Sequence, residues 1–211
     1  RACASPRPAE NESRGGQPSG PGRHLVCDLL DAAQTARVIE QTQPEAVIHS
    51  QALADVDLCE RDPALAMVQN AQTVAHLADA LAGTRIPLVY VSTDYVFDGT
   101  KGAPYDEDDT PNPICVYGRS KLEGERLTLQ YPHGVVVRPS TLFGVGRNIF
   151  CDFIVHTALE GKGTIDAFVD QTTSPTYTDD VAMAVGALLS QRPAVATGGP
   201  RIYHTANEGG C

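Results

Sequence analysis

Two short runs constrain this chain more than anything else in it. Leu88–Thr93 reads LVYVST and Val135–Pro139 reads VVVRP, apolar and rich in β-branched residues at consecutive rather than alternating positions. A strand of that kind is buried on both faces, the condition of a parallel sheet covered by helices. Two weaker runs, His24–Cys27 and Ala46–Ser50, and the terminal Ile202–Asn207 read as further strands. Helical patterns fill the intervals, at about Ala32–Thr42, Ala64–Ala82, Tyr117–Gln130, Ile149–Glu160 and Asp179–Ser190. In the second of these, Leu65, Val68, Val74, Leu77 and Leu81 recur at helical spacing and mark one face for the core. Strands alternating with helices predict βαβ units, hence an α/β fold with a doubly wound, mostly parallel sheet.

Residues 1–22 stand apart. They are rich in Pro, Gly and Ser and carry no large apolar side chain, so burial cannot offset their ordering entropy. They are expected to be disordered, with one ordered domain over 23–211. A formal net charge of −10 argues against a nucleic-acid or anionic-membrane partner. No apolar run approaches the roughly 18 residues of a membrane span, and the N-terminus lacks the pattern of a secretory leader. The six cysteines (Cys3, Cys27, Cys59, Cys115, Cys151 and Cys211) form no CxxC pair, which suits neither a zinc site nor a disulfide scaffold. Reduced thiols in a cytoplasm, and no metal site, are the expectation.

Tyr117-Gly-Arg-Ser-Lys121 carries chemistry. At i and i+4 on a helix, phenol and ammonium share a face, and a nearby cation favours phenolate. With 7 Tyr and three Lys in the chain, about 0.1 such pairs arise by chance, so the pair alone is weak. Ser92 and Thr93 add context, because ligand groups gather at the carboxyl ends of strands in open α/β sheets. A hydroxyl there could bond a carbonyl oxygen that Tyr117 protonates; taken alone, Thr93 reads more readily as a strand-end or turn hydroxyl bonding nearby backbone.

Ser92-Thr-Asp-Tyr-Val-Phe-Asp-Gly99 resembles the STDYVFDG signature of the dTDP-4-dehydrorhamnose reductases. So does Pro111-Asn-Pro113 followed by Tyr117-Gly-Arg-Ser-Lys-Leu-Glu-Gly-Glu125. Asp55-Val-Asp57, Cys59-Glu60, Asn70, the GRNIF run of residues 146–150, Asp170-Gln171, Ser174-Pro-Thr-Tyr177 and Tyr203-His-Thr-Ala-Asn-Glu208 follow in family order. The resemblance implies an extended short-chain dehydrogenase/reductase with a Rossmann-type fold, a group that also includes the regulatory β subunit of methionine adenosyltransferase. It implies that Thr93 orients a sugar 4-keto group, that Tyr117 donates the proton, and that Lys121 binds the nicotinamide ribose and tunes Tyr117. Hydride would come from NADPH or NADH. Asp28 and Leu29 would lie by the adenine, His49, Ser50, Gln51 and Ala52 along the ribose and pyrophosphate, and Ser92 and the Arg138–Ser140 segment by the nicotinamide. Val56, Asn148, Asp94 and Tyr95 would join Thr93 in facing a dTDP-sugar. Asp28 reads equally well as a helix cap, since CDLLDAAQ precedes a helix. A homodimer is left open, and a Mg2+ requirement is not readable.

The sequence departs from the family in several places. Gly15, Gly16, Gly20 and Gly22 do not supply the family's strand–GxxGxxG–helix opening and read as linker glycines, so the first βαβ phosphate-binding unit is expected to be missing. The end at Ile202–Asn207 is expected to leave the substrate lobe incomplete. The polar His49-Ser-Gln-Ala52 replaces a small apolar stretch, and Pro139 and Thr141 stand where the family favours threonine and tryptophan, which weakens the choice of sugar. The leading expectation is reduction of the 4-keto group of a nucleotide-linked 6-deoxy sugar, dTDP-4-dehydro-L-rhamnose to dTDP-L-rhamnose. A different sugar, a non-catalytic regulatory subunit and an inactive fragment are the alternatives.

Overall fold

The computed structural model describes residues 24–145, 150–161, 172–190 and 201–209. The expected disorder of residues 1–22 lies outside them, as do Asn148 and the Asp170-Gln171 pair.

Four strands form one sheet: β1 (Val47–His49), β2 (Leu88–Val91), β3 (Gly134–Pro139) and β6 (Ile202–Thr205), in the order β1-β2-β3-β6. Every neighbouring pair is parallel. The two runs expected to be doubly buried are the central strands, and every residue of β3 is buried. Side-chain direction alternates along them. Val89, Val135 and Val137 pack on Val181 and Val185 of α7 (Thr178–Ser190) on one face. On the other, Leu88 packs with Leu77, Leu81 and Tyr131, beneath α4 (Thr73–Ala80) and α5 (Val116–Gln130). A parallel sheet with helices on both faces is the doubly wound, Rossmann-type α/β architecture the strand pattern predicted.

Local signals explain the element ends. Helix α1 (Ala32–Thr42) is capped by Asp31, whose carboxylate accepts from the Ala33 and Gln34 amides at 2.9 and 3.0 Å. Helix α2 (Val56–Arg61) is capped by Asp55 and α3 (Pro63–Met67) by Asp62, each accepting an amide three residues on. A two-stranded sheet pairs β4 (Leu142–Phe143), just past the end of β3, with β5 (Thr176–Tyr177), and α6 (Phe150–Glu160) lies between them in the chain.

Two expectations are corrected. His24–Cys27 is irregular rather than a strand; Val26 is fully exposed, and among the described residues nothing pairs with the segment. A four-residue apolar run without a ladder partner gains too little to order as β. The helix expected over Ala64–Ala82 is not continuous α: Val68–Gln72 is a π-helical turn between α3 and α4. Such single wide turns are frequent at functional sites. Here the freed Asn70 carbonyl accepts the Tyr90 hydroxyl at 3.0 Å.

Candidate active site

Because β1, β2 and β3 are parallel neighbours, their carboxyl ends lie along one edge of the sheet. The chain leaves β1 through His49–Ala52, β2 through Ser92–Tyr95, and β3 through Arg138–Ser140. Helix α5 crosses beneath this edge, and its N-terminus is built by two side chains. The Cys115 thiol accepts from the Gly118 amide at 3.3 Å, and Glu60 accepts from the Val116 amide at 2.6 Å. Gly118 is required, since a Cβ there would lie 2.1 Å from the Tyr95 carbonyl oxygen. That approach brings the Asp94–Val96 turn against the first turn of α5, and with it Thr93 against Tyr117.

The Thr93 hydroxyl lies beside the Tyr117 phenol. Burial pushes the Tyr117 phenol up to about 12; the Thr93 hydroxyl pulls the other way, and Asp94 adds to the rise. At neutral pH the phenol therefore holds its proton. The Thr93 hydroxyl donates to Asp94 Oδ1 at 3.2 Å and accepts the Tyr95 amide at 3.2 Å, so it is fixed from two sides. The reading of Thr93 as a strand-end hydroxyl bonding nearby backbone is realised in its acceptance of the Tyr95 amide. Tyr95 sets its ring edge-on to Tyr117, centroids 5.7 Å apart.

Lys121, one helical turn beyond Tyr117, is 1% exposed. Its ammonium donates to the Val91 carbonyl at 2.7 Å and lies 4.1 Å from the centre of the Tyr90 ring. Burial lowers its pKa to about 7, opposed by Glu125. Ser140 Oγ donates to Asp94 Oδ2 at 2.6 Å and is 3.0 Å from the Thr173 hydroxyl, which ties the end of β3 to the end of β2 and to the approach to β5.

The other expected residues divide into those at the edge and those behind it. Ser50 and Gln51 are exposed past β1, Gln51 reaching Gln69 at 3.1 Å; Ala52 is half-buried beside them. Val56 opens α2 and is half-buried. The His49 ring is buried instead, 3.2 Å from the Thr73 hydroxyl and stacked on Tyr90. Burial, and then Lys121, lower its pKa to about 4, so it is neutral. Arg138 is also buried, paired in bidentate fashion with Glu125 at 2.9 and 2.7 Å. Asp28 shapes the turn before α1 by accepting the Leu30 amide at 2.9 Å; the cap proper is Asp31. Leu29 packs beside Leu77 and Leu81.

Sequence reasoning assigned no role to Asn70 or Glu125. Asn70 accepts the Leu53 amide at 2.7 Å and donates to Ser120 Oγ at 2.9 Å, fixing the segment after β1 to α5. Glu125 accepts from Ser92 Oγ at 2.5 Å as well as from Arg138. The available signal was position: a carboxylate at i+8 from Tyr117 and i+4 from Lys121 falls on the same inward face. Among the described residues no group of three or more His, Cys, Asp or Glu is placed to hold a metal ion, and no helix is long and apolar enough to cross a membrane.

The fold and this Thr–Tyr–Lys constellation define a Rossmann-type domain with a proton-holding tyrosine at the carboxyl edge of its sheet. Residues 10–211 match the model of the RmlD substrate binding domain, and the chain belongs to that family. It is 39% identical over 189 residues to a dTDP-4-dehydrorhamnose reductase of Mycobacterium tuberculosis, covering 86% of this chain and 59% of that protein. It is 40% identical over 176 residues to methionine adenosyltransferase 2 subunit beta of Danio rerio, covering 79% and 54%. A crystal structure of a dTDP-4-dehydrorhamnose reductase from Bacillus anthracis in complex with NADP superposes with a TM-score of 0.79 at 34% identity, covering 88% of this chain and 64% of that one. The chain thus spans about three fifths of the length of such relatives.

Proposed function

We propose that this chain carries the proton-donating centre of an NAD(P)H-dependent reductase that acts on the 4-keto group of a dTDP-linked 6-deoxy sugar, dTDP-4-dehydro-L-rhamnose being the leading substrate. The observation that carries the proposal is the Thr93–Tyr117 hydroxyl pair at the end of β2, with Lys121 one turn further along α5. Reduction of a ketone needs hydride at carbon and a proton at oxygen. A phenol raised to about 12 keeps that proton at neutral pH until the carbonyl oxygen gains charge. Thr93, already oriented by Asp94 and the Tyr95 amide, is placed to share the ketone oxygen with Tyr117. Lys121 then stands one turn from the developing phenolate, where a cation stabilises it.

The nicotinamide cofactor supplies the hydride when bound. Its nicotinamide half would meet Tyr117 and Lys121 as donors, with Ser92 and Ser140 at the adjacent strand ends. Since the Arg138 guanidinium is held by Glu125, the Arg138–Ser140 segment would meet the ring through backbone and Ser140. The buried His49 leaves Ser50, Gln51 and Ala52 as the groups that would border ribose and pyrophosphate, with Asp28 and Leu29 toward the adenine. Val56, Asp94, Tyr95 and Asn148 would face the sugar nucleotide. A cytoplasmic location goes with such a substrate.

The test is NADPH or NADH oxidation with dTDP-4-dehydrorhamnose, in wild type and Tyr117→Phe. Loss of a positioned general acid is expected to lower kcat by about 10²–10⁴ with the melting temperature unchanged. Wild-type turnover in Tyr117→Phe removes the proton-donor role. The 40% identity to the methionine adenosyltransferase subunit supports a second reading, a non-catalytic regulatory subunit. Saturable cofactor binding without turnover, together with a measurable complex with methionine adenosyltransferase, would select it.

A further inference from the structure

Tyr117, Lys121 and Glu125 follow one another at single-turn intervals along the inward face of α5. The first two belong to the proposed chemistry; the third is buried like Lys121. Glu125 is 2% exposed and accepts three hydrogen bonds, from Ser92 Oγ at 2.5 Å and from Arg138 Nε and an Arg138 terminal nitrogen at 2.9 and 2.7 Å. Its carboxylate therefore joins helix α5 to the ends of both central strands.

The placement of Ser92 gives this joint its consequence. The Ser92 amide makes the last rung of the β2–β3 ladder, donating to the Val137 carbonyl at 2.7 Å. On its N-terminal side stands Val91, whose carbonyl holds the Lys121 ammonium at 2.7 Å. On its C-terminal side stands Thr93, in extended backbone, with the hydroxyl that meets Tyr117. Anchoring Ser92 thus sets both the acceptor of Lys121 and the partner of Tyr117. Charge points the same way. The groups facing Lys121 are Glu125 from its own helix, Tyr90 from β2, neutral His49 from β1, and Arg138 from β3 beyond the carboxylate. Glu125 is the only carboxylate among them, set between two buried cations.

We propose that Glu125 is a positioning residue that anchors the Ser92–Thr93 end of β2 and keeps Lys121 an ammonium beside the reacting groups. It deepens the reductase reading and rests on it for its consequence in turnover, while its effect on Lys121 is measurable without cofactor or substrate. Removing the carboxylate leaves Arg138 and Lys121 as two buried cations without an anion, a state relieved by loss of the lysine proton.

The chain has three lysines, Lys101, Lys121 and Lys162, so lysine labelled with ¹³C at Cε gives three NMR signals that Lys101→Arg and Lys162→Arg assign. Glu125→Gln is expected to lower the Lys121 titration midpoint by about one pH unit or more, while Glu125→Asp, which keeps the charge, moves it less. Glu125→Gln combined with Arg138→Met replaces the buried pair by neutral side chains of similar volume, a change buried pairs tolerate, and is expected to lower the midpoint as well. An unchanged Lys121 midpoint in either folded variant overturns the proposal. In turnover, Glu125→Gln is expected to lower kcat about tenfold at neutral pH, with the loss growing as pH rises. A uniform loss across pH would mark a merely structural role and also overturn it. If the wild-type chain shows neither cofactor binding nor turnover, the reductase reading fails on its own, and the lysine titration still decides the role of Glu125.

Discussion

Glu125 and Arg138 meet beneath the sheet edge with 2% of each side chain exposed, whereas Lys101 meets Asp106 and Asp109 in the segment between β2 and α5 with 31%, 80% and 29% exposed. Both are networks of opposite charges, and both hold backbone in place. They differ in the cost of failure. In the exposed segment, water replaces a lost partner, and such pairs contribute little to stability. Beneath the edge nothing replaces it, and a lone buried charge is destabilising. The buried network spans three elements; the exposed one closes a single loop on itself. Long-range precision at the site thus comes from the buried charges, and local shape from the exposed ones.

The strongest way to break this contrast is Arg138→Met. It leaves Glu125 buried with only Ser92 as a donor, and is expected to cost about 3–5 kcal/mol in urea unfolding. The matching change outside, Lys101→Met, is expected to leave unfolding nearly unchanged. Equal costs at the two sites would abolish the distinction.

Buried His49 sharpens the contrast through pH. Its folded pKa, about 4, lies below the unfolded value near 6.5, so the unfolded chain binds more protons between the two. Its contribution to stability is whole above pH 6.5 and is lost as pH falls through about 4, on the order of 3 kcal/mol in all. Unfolding free energies measured from pH 7 to 4 should fall more steeply in wild type than in His49→Gln. Parallel curves would mean that the ring is not held neutral by burial.

What the sequence revealed follows the same division. The central strands were legible because β2 and β3 are buried on both faces and their composition says so. Tyr117 and Lys121 were legible because their spacing is local. Glu125 was not, since its partners Ser92 and Arg138 lie 33 and 13 residues away and only the fold unites them. The two-residue strands β4 and β5 are defined by pairing across more than 30 residues, beyond the reach of any window of composition. The π-helical turn escaped for a related reason: Asn70 sits in an otherwise helical run, and its contacts to Leu53, Ser120 and Tyr90 are all long-range. Asp28 and Asp31 both stand before α1, and geometry alone selects the second as its cap.

Asp98 tests the exposed side. Its carboxylate accepts from the Tyr105 hydroxyl at 2.7 Å, from the Thr100 amide and hydroxyl at 2.9 and 2.8 Å, and from Asn112 at 2.8 Å. These bonds, that of Tyr105 foremost, hold it well below the usual carboxylate range. Asp98→Asn is expected to speed hydrogen exchange at the Thr100 amide and to lower stability less than Arg138→Met. With a depressed folded pKa, the carboxylate contributes above its unfolded value near pH 4 and loses that contribution as pH falls further. The gap between wild type and Asp98→Asn should therefore narrow below about pH 4; a gap that stays constant would show that the charge is not what shapes the loop.

A further small effect involves no charge at all. Gln43 ends α1 in the left-handed region, φ 43° and ψ 56°, where its amide donates to the Ile39 carbonyl at 3.0 Å. A Cβ is disfavoured there by about 1–2 kcal/mol, and Pro44 restricts the same residue from its other side. Glycine removes the Cβ penalty but loses more entropy on folding, so Gln43→Gly is expected to stabilise by about 0.5–1 kcal/mol. The side-chain bond from Gln43 to the Glu40 carbonyl is lost, but it lies in solvent and water replaces it. Urea unfolding of Gln43→Gly against Gln43→Ala isolates the backbone: a gain in glycine alone assigns the strain to φ, whereas a gain in both would assign it to the glutamine side chain.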